Sequence, residues 1–302
     1  MRPVDLLIVG YLLLTGVLIL GFPKHIPFWA LHVAVRLVAV VVVVRLAATR
    51  SRNPIVRAVR DWYPILAFIP LYAELNSLTN LFTTVRHDEW VVAWEAALFG
   101  GQPSQTLRLA WPQPGISEYL HFAYFFYYFV PTTLALSLSI QRDRARFSEA
   151  LTAIVLVFLA CCMIFVIFPV VGPYHHFGHP PASSWPGFFG PLVHAIVDRG
   201  SSLGTAFPSS HTAVAVCVWL TAWRLHRPAF WLLTAIVPAL AVGTVYGGFH
   251  YAVDTIAGVL LGAVCALATP RLHEGLLARI GGKAAPEPRL TFASQGRGRS
   301  LE

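Results

Sequence analysis

Eight apolar runs, at about 5–22, 28–48, 63–83, 118–140, 150–171, 209–225, 229–246 and 250–269, constrain this chain more than any other feature. A helix needs about 20 apolar residues to cross the hydrocarbon core of a bilayer. Inside that core the backbone must satisfy its own hydrogen bonds, which helices do. The expected fold is therefore an all-α polytopic membrane bundle of about eight transmembrane helices. Composition agrees: 56% of the 302 residues are hydrophobic and 12% are charged, against about 25% charged in an ordinary soluble domain. The first run lies where a secretory signal would, but no small-x-small cleavage site and polar mature segment follow it, so it reads as a retained span. Cys161, Cys162, Cys217 and Cys265 all fall inside apolar runs, which argues against a disulfide framework.

The basic residues sort by side. Lys24, Arg86, Arg108 and Arg199 stand on one side of the expected membrane and Arg36 inside a span; the other seventeen of the 22 share the opposite side. The positive-inside rule then puts both termini in the cytoplasm, in what reads as a bacterial inner membrane. The net charge of +8 is explained by topology and implies no nucleic-acid partner. The loops 84–117 and 172–208 and the turn at 247–249 face outward. In the first of them, Trp90, Trp94, Ala97 and Leu98 share one helical face over 88–99. That pattern suits an amphipathic helix lying in the interface, or equally a short helix packed on the bundle. A second short helix is expected near 188–197.

Polar residues inside spans mark either a cavity or interhelical contacts. Span 3 carries Glu74, and span 4 carries His121, Tyr124 and Tyr128 at helical spacing. Glu74, Tyr124 and Tyr128 are candidates for a polar chamber that receives a headgroup. Arg36, in span 2, is a natural partner for Glu74.

The strongest pattern lies near the C-terminal end. Gly204-Thr205-Ala206-Phe207-Pro208-Ser209-Ser210-His211 opens one span, and Gly247-Gly248-Phe249-His250-Tyr251-Ala252-Val253-Asp254 opens another. The 39 residues between the two histidines make two helical crossings, so His211 and His250 return to the same membrane face. Ser209 or Ser210 suits the N-cap of the sixth span, and free N–H groups at a helix N-terminus bind phosphate. His250 and Asp254 are four residues apart and share a helical face. A carboxylate bonded to one ring nitrogen fixes the tautomer and frees the other nitrogen to attack. A second, protonated histidine then supplies a leaving-group proton. The expected chemistry is phosphoryl transfer without metal or cofactor.

These residues resemble the type-2 phosphatidic acid phosphatase superfamily. Its Pro-Ser-x-His motif is matched by Pro208-Ser209-Ser210-His211, and its His-x-x-x-Asp motif by His250 and Asp254. The resemblance implies a six-helix catalytic core over 63–269, with two accessory helices and a basic cytoplasmic loop over 1–62. Residues 270–302 read as a basic, disordered cytoplasmic tail. It further implies a phosphohistidine at His250, Asp254 as its orienter and His211 as general acid, acting on a lipid phosphate or phospholipid at the extracytoplasmic face. The superfamily's first motif, a Lys followed by Arg-Pro, is absent after span 5, where the chain reads Gly172-Pro173-Tyr174-His175-His176. The Ser-Arg of its third motif is replaced by Gly243-Thr244. Both losses resemble the inositol phosphorylceramide synthase branch, which transfers a phospho-headgroup between lipids. With those cations missing, the candidates to hold the phosphate are Ser209, Ser210, His175, His176 and Arg199, with Arg86 as a further cation.

Two other readings use the same residues. Two histidines and an aspartate suit a non-haem iron or zinc site, with His175, His176 and His179 as a second cluster. A lipid transporter would place Arg36 and Glu74 in its pathway, yet the chain lacks the paired interrupted helices of many such proteins. The sequence carries no sign of oligomeric state.

Overall fold

The structure is a computed structural model that describes residues 1–49 and 51–281. Its helices run in chain order as α1 (Pro3–Gly21), α2 (Trp29–Ala48), α3 (Pro54–Leu66), α4 (Phe68–Leu78), α5 (Asp88–Phe99), α6 (Pro103–Ala110), α7 (Pro114–Phe126), α8 (Val130–Ile140), α9 (Arg144–Ile167), α10 (Pro173–His176), α11 (Phe189–Gly200), α12 (Ser210–Leu225), α13 (Arg227–Tyr246) and α14 (Ala252–Arg279). The described residues contain no β-strand, only one isolated parallel bridge between Val170 and Thr205.

Among the described residues, six helical stretches are long and apolar enough to cross a membrane: α1, α2, α7 joined to α8, α9, α13 and α14. The other two expected spans are helical but shorter. The third is divided where α3 meets α4 at Ala67. Pro70, one turn on, has no N–H to offer the Leu66 carbonyl and crowds it, which breaks the ladder there. The sixth is α12, whose 16 residues reach about 24 Å at 1.5 Å per residue. α12 is enclosed by α9, α13 and α14, and its inner positions are small: Ala213, Val214, Ala215, Val216 and Cys217 are buried. All four cysteines are free and buried.

The α12–α14 pair sets the position of the two histidines. Gly258 and Gly262, one turn apart on α14, face α12. A Cβ on Gly258 would stand 2.6 Å from the Ser209 carbonyl, and one on Gly262 closer still to that of Ala213. Small residues at this spacing let two helix backbones touch. At the mouth of the pair the Ser209 N–H donates to the Asp254 carbonyl at 2.9 Å. The loop before α12 is tied down beside it: the Ala206 N–H donates to Val170 O at 2.9 Å, next to the Val170–Thr205 bridge.

The N-terminal helices pack differently. α2 turns most of its surface outward, with Leu31, Val35, Leu37, Val38, Val41 and Val42 exposed. Its inward anchor is Arg36, 3% exposed, which donates to Thr15 Oγ1, to the His32 carbonyl and to Glu74 Oε1.

α5 spans the segment expected to be an interfacial helix, and Trp90, Trp94 and Leu98 are exposed on one face of it. The short helix expected near 188–197 is α11. The last helix runs nine residues past the boundary expected at Pro270. Pro270 costs one ladder bond, and the Thr269 hydroxyl donates to the Cys265 carbonyl just before it. Beyond it His273 Nδ1 meets Thr152 Oγ1 of α9 at 2.8 Å, tying the extra turns to the bundle. The rest of the expected tail, from residue 282, lies outside the described residues.

Candidate active site

Ser209 caps α12: its Oγ accepts the Thr212 N–H at 3.3 Å. The cap starts the helix so that His211 stands in the first turn. Tyr251 occupies the corresponding position before α14, putting His250 just outside that helix and Asp254 in its first turn. Because α12 and α14 touch along the glycines, the two imidazoles meet, with His250 Nε2 3.4 Å from His211 Nδ1.

The hydrogen bonds order this pair. His250 Nδ1 is 3.0 Å from the Ala206 carbonyl, an acceptor only, so Nδ1 carries the proton and donates it. In the neutral ring the lone pair is then on Nε2, facing His211. His211 Nδ1–H is the donor to that lone pair, and His211 Nε2 accepts from the Tyr124 hydroxyl at 3.2 Å. The chain Tyr124–His211–His250–Ala206 is thus fully paired. This differs from the expectation that Asp254 takes the His250 proton directly. Asp254 Oδ2 lies 3.6 Å from His250 Nδ1, while its hydrogen bond goes to the Tyr251 N–H at 2.9 Å. The 206 carbonyl, carried in by the tied-down loop, takes the imidazole proton. Asp254 is fully enclosed and its Oδ1 has no partner.

A small cleft opens over the pair. Tyr72, Tyr124, Tyr174, His175, Thr205 and Phe249 are among its walls. His175 meets Ser201 Oγ at 3.0 Å, and burial lowers its pKa from the ordinary histidine range. Among the described residues no lysine or arginine lines the cleft. Tyr174 donates to Asp198 at 2.7 Å and contacts His194 behind the cleft. Burial pushes the His194 imidazole down to about 2, so it stays neutral there.

The other candidates from the sequence are dispersed. Ser209 spends its N–H on Asp254 and its hydroxyl on the helix cap, and it and the buried Ser210 stand outside the cleft wall. His176 turns toward Glu89. Arg199 is exposed and returns to the Ala195 carbonyl. Arg86 is taken by Thr79 O and Asn80 Oδ1. Of the three chamber residues only Tyr124 reaches the cleft. Tyr128 is 46% exposed, and the Glu74 carboxylate is held by Arg36 and His32. Among the described residues no three His, Cys, Asp or Glu side chains converge as metal ligands would. Asp254 lies on the Nδ1 side of His250, away from the nitrogen that faces His211.

Two groups important to the site's geometry carried no role in the sequence reading. Asp88 accepts the N–H groups of Val171 and Gly172, both at 2.9 Å, and the Tyr251 hydroxyl at 3.2 Å. Glu95 accepts from the first N–H groups of α14. A signal was present: Asp88, Val91 and Glu95 recur at i, i+3 and i+7 and share one face of 88–99.

Fold and site together describe an all-α membrane protein with a two-histidine pocket at the shared mouth of two helices. The PAP2 superfamily model matches residues 89–268, more than half of the chain, and the chain belongs to that superfamily of membrane phosphatases. It is also similar to the bacitracin transport permease protein BcrC of Bacillus licheniformis, 29% identical over 77 residues. That stretch is 26% of this chain and spans 37% of that protein's length. No solved structure matches the chain.

Proposed function

We propose that the chain is a lipid phosphoesterase or phosphotransferase working through a phosphohistidine on His250, at the extracytoplasmic face with both termini cytoplasmic. The observation that carries this reading is the pairing of His250 Nε2 with His211 Nδ1 at 3.4 Å. A phosphoryl group entering between them meets the lone pair of one ring and the N–H of the other. His250 Nε2 attacks phosphorus as the bond from phosphorus to the leaving oxygen breaks. For this step His211 first takes a second proton at Nε2 from solvent as the anionic substrate enters, the Tyr124 hydroxyl turning to accept it, and then gives its Nδ1 proton to that oxygen. Water or a lipid alcohol then gives its proton to His211 and attacks the phosphohistidine, and His250 is restored.

Hydrolysis and headgroup transfer share the first half of this cycle. Transfer, as in the inositol phosphorylceramide synthase branch, is favoured by one feature: among the described residues, no lysine or arginine lines the cleft wall. A phosphodiester carries one negative charge and a monoester up to two, so a wall without full cations suits the diester better. The test is incubation of the purified protein with phosphatidic acid, with phosphatidylinositol and with phosphatidylinositol plus ceramide. Free phosphate from phosphatidic acid, or inositol phosphate from phosphatidylinositol, indicates the hydrolase, and a new phospholipid the transferase. His250→Ala is expected to abolish either, and a His250→Ala protein as active as the wild type would overturn the reading.

A further inference from the structure

The most unusual buried group outside the histidine pair is Glu95. It is fully enclosed, and it reaches α14 from a helix more than 150 residues earlier in the chain. Buried carboxylates are costly unless hydrogen-bonded. Glu95 Oε1 accepts the N–H of Ala252 and, at 3.4 Å, that of Val253; its Oε2 has no partner. These are the first two N–H groups of the helix that carries Asp254, and a helix leaves such groups without partners of its own. The residue before that helix does not supply a cap, because Tyr251 sends its hydroxyl to Asp88 instead. The remaining carboxylate in the first turn of α14 is Asp254. Its Oδ2 already accepts the Tyr251 N–H, and its Oδ1 is free.

We propose that Glu95 is a positioning residue for the phosphoryl-transfer reaction: by capping the first N–H groups of α14 it leaves the Asp254 carboxylate available to the His250 ring. The inference rests on the phosphohistidine reading of the site. If Glu95 were removed, the uncapped N–H groups of residues 252 and 253 would draw in the acceptor beside them, Asp254. Its oxygens would then serve the helix and no longer support the positive charge that develops on His250 during attack.

The ionisable groups that act on Glu95 are Asp254, in the first turn of α14, and Tyr251, just before it. Among the described residues it has no ion pair with lysine or arginine. Burial, opposed by the two N–H bonds and assisted by Asp254, pushes the Glu95 carboxyl up to about 7. Above that pH it is ionised and caps strongly. As pH falls through that value it gains a proton and the cap weakens, so acidification lowers the rate through Glu95 as well as by protonating His250.

The experiment uses the full-length protein in phospholipid nanodiscs, with the lipid substrate that the panel identifies. Wild type and Glu95→Gln are compared for kcat, KM and the pH dependence of kcat, and phosphoenzyme is trapped from labelled substrate. Glutamine keeps the shape and one carbonyl acceptor but neither charge nor titration. The expected result at pH 8 is a kcat about tenfold lower, as for loss of a charged hydrogen-bond partner, with KM within about twofold. The acid limb of wild type should fit two ionisations, and that of Glu95→Gln one. A variant with wild-type kcat and limb, a loss confined to KM, or a wild-type acid limb fitting a single ionisation overturns the inference. The last criterion needs only the wild-type protein, so it stands even if the variant fails to fold. Absence of phosphohistidine in the wild type would overturn the reading of the site and this inference with it. Its presence, with an unchanged Glu95→Gln profile, would overturn the inference alone.

Discussion

The α12–α14 pair and the α1–α2 pair meet the same problem, holding two helices together in lipid, by opposite means. α12 and α14 touch backbone to backbone, because Gly258 and Gly262 leave no side chain between them. α1 and α2 are joined by a long side chain: the Arg36 guanidinium of α2 donates to Thr15 of α1 and to Glu74 of α4. Backbone contact fixes distance closely and cannot adapt. A side-chain anchor tolerates change, and it leaves α2 with only 17% of its apolar stretch buried against the protein. The rigid solution is found where two imidazoles must meet. The adaptable one is found where nothing further depends on the spacing.

Three experiments test this contrast, in decreasing order of effect on turnover. Gly262→Val places a side chain against the Ala213 carbonyl and forces the two helix mouths apart. A displacement near 1 Å at a reacting centre costs about 100-fold in rate, and a loss of that order in kcat is expected. Gly16→Ala in the other pair meets only Arg36 Cδ at 3.4 Å and should leave kcat unchanged. Equal losses in the two variants would erase the distinction between the pairs.

Tyr124→Phe removes the hydroxyl that bonds His211 Nε2 without disturbing the backbone contact. The expected effect is about tenfold in kcat, the size of one hydrogen bond to a group that becomes charged. It should appear with an alkyl phosphoester and shrink with an aryl one, whose leaving group needs little help from a proton. Equal losses on both substrates would mean that Tyr124 serves packing alone.

Arg36→Met is expected to change turnover little, within about twofold, while costing about 3 kcal/mol of stability because Glu74 is left without its cation. Thermal unfolding in nanodiscs reads the stability. Pairing it with Glu74→Leu should recover most of the loss, since both charges are then gone. A large fall in kcat for Arg36→Met would show that the N-terminal pair is coupled to the site after all.

Much of the site was legible in the sequence because it depends on local rules. The 39-residue separation of His211 and His250 follows from two helical crossings, and the His250–Asp254 spacing from one helical turn. Glycines at 258 and 262 were also in view, but their meaning depends on which helix faces them. The rest is long-range. Nothing local tells that Ala206 will offer its carbonyl to His250, since that depends on the Val170–Thr205 bridge between two loops. Glu95 belongs to a helix whose tryptophans dominated its reading, and the N–H groups that it serves lie far along the chain. Glu74 could be read from the sequence as a chamber lining or as the partner of Arg36, and the second is what the structure shows. The length of α14 was misjudged because Pro270 reads as a stop when its partner on α9 is out of sight.

If His250 is the nucleophile proposed above, the His211–His250 contact also governs what the protein does between substrates. A free imidazole in a lipid headgroup region would be open to alkylation and acylation by stray electrophiles. In this pocket the reactive lone pair of His250 is occupied by an N–H from His211, and that ring is held in turn by Tyr124. The pair therefore acts as a latch. A neutral electrophile offers nothing to replace the N–H···N bond that it must break, whereas an anionic phosphoryl group gives His211 a better acceptor than the one it loses. On the proposed reading, reactivity would be withheld until the arriving molecule brings the charge that releases it, and selectivity for phosphate would begin in the resting state, before any bond to phosphorus forms.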